Sequence, residues 1–234
     1  MPGWTASPGL GARLDAQLRE LFKWCQAEDV PIMAHTGSSN GVIREFEELT
    51  AATYWRQALD EFPRLRLNFG HFGGSSPVLD GTTRTKRFMA LMGMGAGSKG
   101  SNAFADAGYF VEVMKEEPKL RAVVKQLYEE IAAPAHAPLS TRFMYGTDWE
   151  MTLTEGTVNP YLEEFVKLFN ELEALPAVQS QGASGLATRF FGANASDWAG
   201  LRKGGTARSR LDAFYADNKV PPPDWGGKVD DLRL

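Results

Sequence analysis

Apolar positions recur along the chain in two rhythms. Over residues 10–28, Leu14, Leu18, Leu21, Phe22 and Cys25 fall on one face at a 3.6-residue period, which predicts an amphipathic helix. VPIMAH (30–35) is an apolar run of strand length, and the polar loop 37–41 follows it. A helix over about 50–61 carries Tyr54, Trp55, Ala58 and Leu59 and stops before Pro63; it leads into a second strand, LRLNFGH (65–71). Residues 73–101 are rich in Gly and Ser and read as an insertion, with one short helix in the apolar patch 88–94. NAFADAGYF (102–110) is the weakest strand, and a helix over 118–132 follows with Leu120, Val123, Val124, Leu127, Tyr128 and Ile131 at helical spacing. RFMYGTD (142–148) is the fourth strand, and helical segments are expected over 159–174 and near 182–192. The stretch from Gly204 on, with Pro221, Pro222 and Pro223, reads as a tail that is draped over the surface or mobile.

Strand, polar loop and helix thus alternate four times. That order predicts an α/β fold with parallel strands and right-handed crossovers. Three of the four strands end in a side chain able to bind a metal: His35, His71 and Asp148. In parallel α/β folds, ligand and catalytic groups gather at the carboxyl ends of the strands.

Composition narrows the function without choosing it. The 25 basic and 29 acidic side chains leave a net charge of −4, with no basic stripe. Nucleic-acid and anionic-membrane binding need a concentrated positive field, so neither is expected. One cysteine, Cys25, cannot form an internal disulfide, and on the apolar helix face it reads as a small buried hydrophobe. No apolar run approaches the ~20 residues of a membrane span, and Met1-Pro2-Gly3-Trp4 opens no secretory signal. A cytoplasmic protein is expected. No GxGxxG, Walker loop or GxSxG elbow is present, and the glycines of 93–102 lack the Lys-Ser/Thr pair of a phosphate loop.

Each candidate has a plain alternative when taken alone. His35 and His71 read equally as loop histidines held by hydrogen bonds, and Asp148 as a turn or N-cap aspartate. Asp106, at the end of the weak strand, reads first as a turn stabiliser, with a contact to the site as the alternative. His136, flanked by prolines, reads as structural or exposed. The shared strand-end placement of two of the three histidines favours function.

VPIMAHTG (30–37), RLRLNFGHFGG (64–74) and RFMYGTDWE (142–150), in this order, resemble the later half of the metal-dependent amidohydrolase superfamily. The branch they resemble includes aminocarboxymuconate-semialdehyde decarboxylase, resorcylate-type decarboxylases and lactonases. FFGANASDWAGL (190–201) resembles the late helix that packs under the barrel in that family, so the resemblance spans residues 10–201. It implies a (βα)8 TIM barrel whose fifth, sixth and eighth strands end at His35, His71 and Asp148. It further implies one divalent metal, zinc by preference, held by His35, His71 and Asp148, with Asp148 shuttling a proton and His71 stabilising an oxyanion or touching the metal. The implied activity is hydrolysis or decarboxylation of a small carbonyl- or carboxylate-bearing substrate.

The sequence departs from the family in one respect. The first-strand His-x-His or Glu-x-His metal pair is absent, and four βα units are visible where the barrel has eight. The expectation is therefore a partial barrel over 1–203, interrupted by the insertion 73–101 and followed by a tail over 204–234. Such a half exposes sheet edges and an apolar face, so a homo-oligomer or a companion chain supplying the other half is expected. The alternative is a non-catalytic half-barrel scaffold or interaction subunit that lost the metal pair.

Overall fold

The computed structural model describes residues 9–37, 51–74, 83–92, 102–110, 140–154, 160–180 and 185–232, together with 118, 119, 121, 122, 124 and 125. His136, the loop 38–41, the glycine run 93–101 and most of the helix expected over 118–132 lie outside these residues.

Helix α1 (Leu10–Ala27) leads to β1 (Ile32–His35), α2 (Ala52–Glu61) to β2 (Leu67–Gly70), and α3 (Thr83–Leu91) to β3 (Ala103–Asp106). Strand β4 (Phe143–Met144) is followed by α4 (Trp149–Thr154), α5 (Pro160–Glu173) and α6 (Pro176–Ser180). A π-helical turn, Arg189–Ala193, joins the short α7 (Leu186–Thr188) to α8 (Asn194–Ala199); α9 (Thr206–Asp217) and α10 (Trp225–Asp230) follow. The four strands form one sheet in the order β1-β2-β3-β4, and every pair is parallel. This is the mixed α/β, parallel arrangement that the alternation of elements predicts, and it is consistent with part of a TIM-type barrel.

Side chains alternate across the sheet, and the register sorts them into two faces. Leu67, Phe69, Ala103, Ala105 and Phe143 face the helices and are buried with Phe88 and Met92 and with Phe165, Leu168 and Phe169 of α5. The opposite face carries Met33, His35, Asn68, Gly70, Phe104, Asp106 and Met144, aligned by the pairs Met33↔Asn68, His35↔Gly70, Asn68↔Phe104 and Asp106↔Met144. Strands of parallel sheets are usually apolar on both faces. Here the second face turns polar toward its carboxyl end.

Helix α8 closes the amino end of that face. Asn194 Nδ2 donates to the carbonyls of Phe143 (2.7 Å) and Ser140 (2.9 Å), fixing the start of β4. Arg66, just before β2, donates to Trp198 O at 2.8 Å and pairs with the Asp29 carboxylate at 2.7 Å. The β1 side of the face is open: Met33 is 61% exposed.

Three findings differ from expectation. The apolar stripe of α1 forms, but Leu14, Leu18 and Leu21 stay exposed; only Cys25 is buried, and Phe22 packs beside it against Phe62 and Leu65. The helix turns its Phe22–Cys25 flank, not its leucines, to the described core. Strand β4 is shorter than 142–148: after Ala107 N donates to Met144 O at 3.0 Å the ladder with β3 stops, and Ala107 O accepts from the Tyr161 hydroxyl of α5 instead. The stretch after Gly204 contains two helices, and Arg210 in the first donates to Glu28 O at 2.8 Å.

Candidate active site

At the carboxyl end of the sheet the chain leaves β2, β3 and β4 by an unusual backbone path. From His71 to Gly74 four successive residues have positive φ: 66°, 49°, 82° and 101°. Left-handed backbone is rare outside glycine and costs of order 1–3 kcal/mol per strained residue. Phe72 offsets part of this cost by burying its ring against Phe143, with centroids 5.1 Å apart. Gly73 is required where it stands, since a Cβ there would lie 2.9 Å from the Phe88 ring of α3. Tyr109 (φ 56°) and Asp148 (φ 47°) extend the same strain to the loops after β3 and β4.

This path brings the sequence candidates together. The His35 and His71 rings meet edge to face with centroids 4.7 Å apart. His71 Nε2 lies 4.0 Å from Asp148 Oδ2, with Asp148 about one-third exposed. Asp148 stands beyond β4: its carbonyl accepts from Met151 N (2.9 Å) and Thr152 N (3.0 Å) and so starts α4, leaving its carboxylate turned to the histidine. Partial desolvation of His35, then the proximity of His71, pulls its pKa below the usual histidine value; Asp148 and Asp106 oppose the shift.

Asp106 does both things that its position allows. Buried at 4% exposure, it stabilises the turn by accepting from Gly108 N (2.8 Å) and contacts the site by accepting from His71 N (3.0 Å). Its second oxygen accepts from Asn68 Nδ2 at 2.6 Å. Asn68 was not a sequence candidate, although an amide between Leu67 and Phe69 inside a strand was its signal. Arg84 of α3 was missed as well. It donates to Thr36 O (2.7 Å) and Gly73 O (3.0 Å), so the insertion ties down the loops that follow both histidines.

His71 Nδ1 lies 2.9 Å from Gly108 O. A carbonyl only accepts, so Nδ1 carries a proton and Nε2 is the ring nitrogen turned toward Asp148. Met33, Tyr145, Trp149 and Trp198 wall a cleft of about 380 Å³ around His71 and Asp148. That volume suits a small molecule.

A family model described as amidohydrolase matches residues 2–195. The chain belongs to the amidohydrolase family. No curated protein and no solved structure matches it significantly. Members of this superfamily usually bind metal, and the donors of this amidohydrolase fit a divalent ion in kind: two imidazoles and a carboxylate, with the second nitrogen of His71 on a carbonyl as metal-binding histidines require. Among the described residues, however, no three His, Cys, Asp or Glu side chains are drawn into a set that could hold an ion. His71 and Asp148 face one another, and His35 stands beside the pair. Among the described residues no helix is long and apolar enough to cross a membrane.

Proposed function

We propose that this amidohydrolase is a metal-dependent hydrolase or decarboxylase, in the branch that includes aminocarboxymuconate-semialdehyde decarboxylase. Its substrate is a small molecule bearing a carbonyl or carboxylate, turned over in the cytoplasm. The observation that carries the reading is the opposition of His71 Nε2 and Asp148 Oδ2 at the carboxyl end of a parallel sheet, beside His35. His35, His71 and Asp148 would hold one divalent ion, zinc by preference. When bound, such an ion polarises a carbonyl and brings the pKa of a coordinated water to about 7. Asp148, as a carboxylate, accepts the proton released from the attacking water or returns one to the product. His71 lends Nε2 to the ion or, where it is not a ligand, donates from Nε2 to a developing oxyanion. The apolar walls of the cleft hold the substrate and exclude water from the polar end.

The sequence lacks the first-strand His-x-His or Glu-x-His pair, and among the described residues no three donors converge, whereas catalytic zinc usually has three protein ligands. We therefore further propose that the open face beside β1 is covered by more βα units of the barrel, supplied by a companion chain or a second copy. A competing reading, a half-barrel scaffold without chemistry, is favoured by the lack of a three-ligand set among the described residues. Metal analysis of the purified chain, with turnover of a panel of lactones, amides and aromatic carboxylates with added zinc, separates the two. Stoichiometric zinc and turnover abolished by chelation support the enzyme; a metal-free, inert chain supports the scaffold.

A further inference from the structure

We propose that Asp106 is the positioning residue of this site: its carboxylate fixes the main chain of His71 and, through Gly108, the ring tautomer that presents Nε2 to Asp148. The inference rests on reading His71 as a site residue. Among the described residues Asp106 makes no salt bridge; three N–H groups hold its carboxylate. One belongs to His71, whose left-handed backbone takes its N–H out of the sheet ladder. A buried N–H needs an acceptor, and Asp106 Oδ1 provides it at 3.0 Å. The same oxygen holds Gly108 N, so one atom sets the main chain of His71 together with that of the residue whose carbonyl receives the His71 ring.

The turn that carries Gly108 is braced from behind. The Tyr161 hydroxyl of α5 donates to Ala107 O and accepts from Phe110 N at 3.0 Å. Space around it is tight, because a Cβ on Gly108 would lie 2.9 Å from Asp106 Oδ1 and 3.2 Å from His71 Nδ1. Asn68 completes the arrangement. Its amide must point Nδ2 at the carboxylate, which leaves Oδ1 without a partner among the described residues.

This geometry separates hydrogen bonding from charge. In Asp106→Asn, Oδ1 can still accept from His71 and Gly108, and Asn68 can flip its amide so that Oδ1 accepts from the new NH2. Asp106→Ala loses every bond. A positioning role therefore survives Asp106→Asn and fails in Asp106→Ala, whereas a role that needs the charge fails in both.

The readout is the tautomer of His71, measured on the full chain with 15N-labelled histidine, metal-free, at a pH where the ring is neutral. Long-range 1H–15N correlations report it, and the His35→Gln and His136→Gln variants assign the signals. The wild type and Asp106→Asn should show the proton on Nδ1. Asp106→Ala, with native near-ultraviolet circular dichroism, should lose that pattern and move toward the Nε2-H form. Should Asp106→Ala not fold, Gly108→Ala takes its place, since its Cβ displaces the ring without touching the carboxylate's charge. A shift in Gly108→Ala with none in Asp106→Asn supports the proposal. An unchanged tautomer in folded Asp106→Ala, or in Gly108→Ala where Asp106→Ala is unfolded, overturns it. So does a tautomer lost in Asp106→Asn. A chain without hydrolase activity leaves this measurement intact, so failure of the functional reading and failure of the positioning role remain distinct.

Discussion

His71 and Asp148 face one another, Nε2 to Oδ2 at 4.0 Å, and each does so from left-handed backbone, with φ of 66° and 47°. The turn after β2 and the start of α4 bend the two loops inward, and the groups that could handle protons are carried on the bends.

Asp148→Asn keeps this geometry, because asparagine adopts left-handed backbone readily. It removes the proton acceptor, and turnover of the substrate found by panel screening should fall about 10²–10⁴-fold. The melting temperature should stay near that of the wild type. Wild-type turnover in the folded variant would reduce Asp148 to the residue that starts α4.

Arg84→Ala should loosen the loops behind both histidines at once. Two carbonyls lose a charged donor, and the expected cost is about 2 kcal/mol in urea unfolding. Arg84→Lys should recover little, since one ammonium does not reproduce the fork that spans Thr36 O and Gly73 O. A midpoint equal to the wild type in Arg84→Ala would mean that α3 is not a strut.

Glu171 gives the acid side of stability a handle. Its hydrogen bond with Lys125, then its contacts with Arg121, hold its carboxyl below the usual glutamate value against a smaller opposing effect of burial. A lowered native pKa adds stability that is present above the ordinary glutamate value and is lost as pH falls through the lowered one. The urea midpoint of the wild type should therefore drop further than that of Glu171→Gln on acidification from about pH 5 to pH 3. Because Glu171 is 44% exposed, the difference should be small and should shrink in salt.

How much of this was legible follows from what each feature depends on. The four strands were visible because short apolar runs between polar loops have a local signature. Their ends were not, because the β3–β4 ladder stops where Ala107 O meets the Tyr161 hydroxyl, a partner 54 residues away. His35, His71 and Asp148 could be found by their shared place after a strand. The hold of Asp106 on Asn68 and His71 could not, since it depends on the register of two strands whose paired residues lie 36 apart in sequence. Helix α9 buries no residue, so it had no apolar stripe to announce it. The leucines of α1 show the opposite failure: a clear stripe predicted a helix but not what it packs on.

Assembly should show itself in solution. Leu14, Leu18 and Leu21 of α1 are about half exposed, and Met33, on the site face of β1, more so. Sedimentation of the purified chain should give a species larger than the monomer, or a monomer that binds a hydrophobic dye until a companion is added. A dye-free monomer with a sharp cooperative melt would remove the case for a missing cover.

The backbone strain has a further consequence, for laboratory evolution. Of the six non-glycine residues with positive φ among those described, His71, Phe72, Tyr109 and Asp148 lie around the site. Glycine or asparagine at any of these positions relieves strain, so a lineage selected only for heat resistance is drawn toward them. At 72 and 109 such changes trade buried or packed rings for backbone ease. At 71 and 148 they erase the imidazole and the carboxylate themselves. Selection for robustness alone would thus disarm this protein at the two positions on which the proposed chemistry rests, and a screen that also scores turnover would be required to keep them.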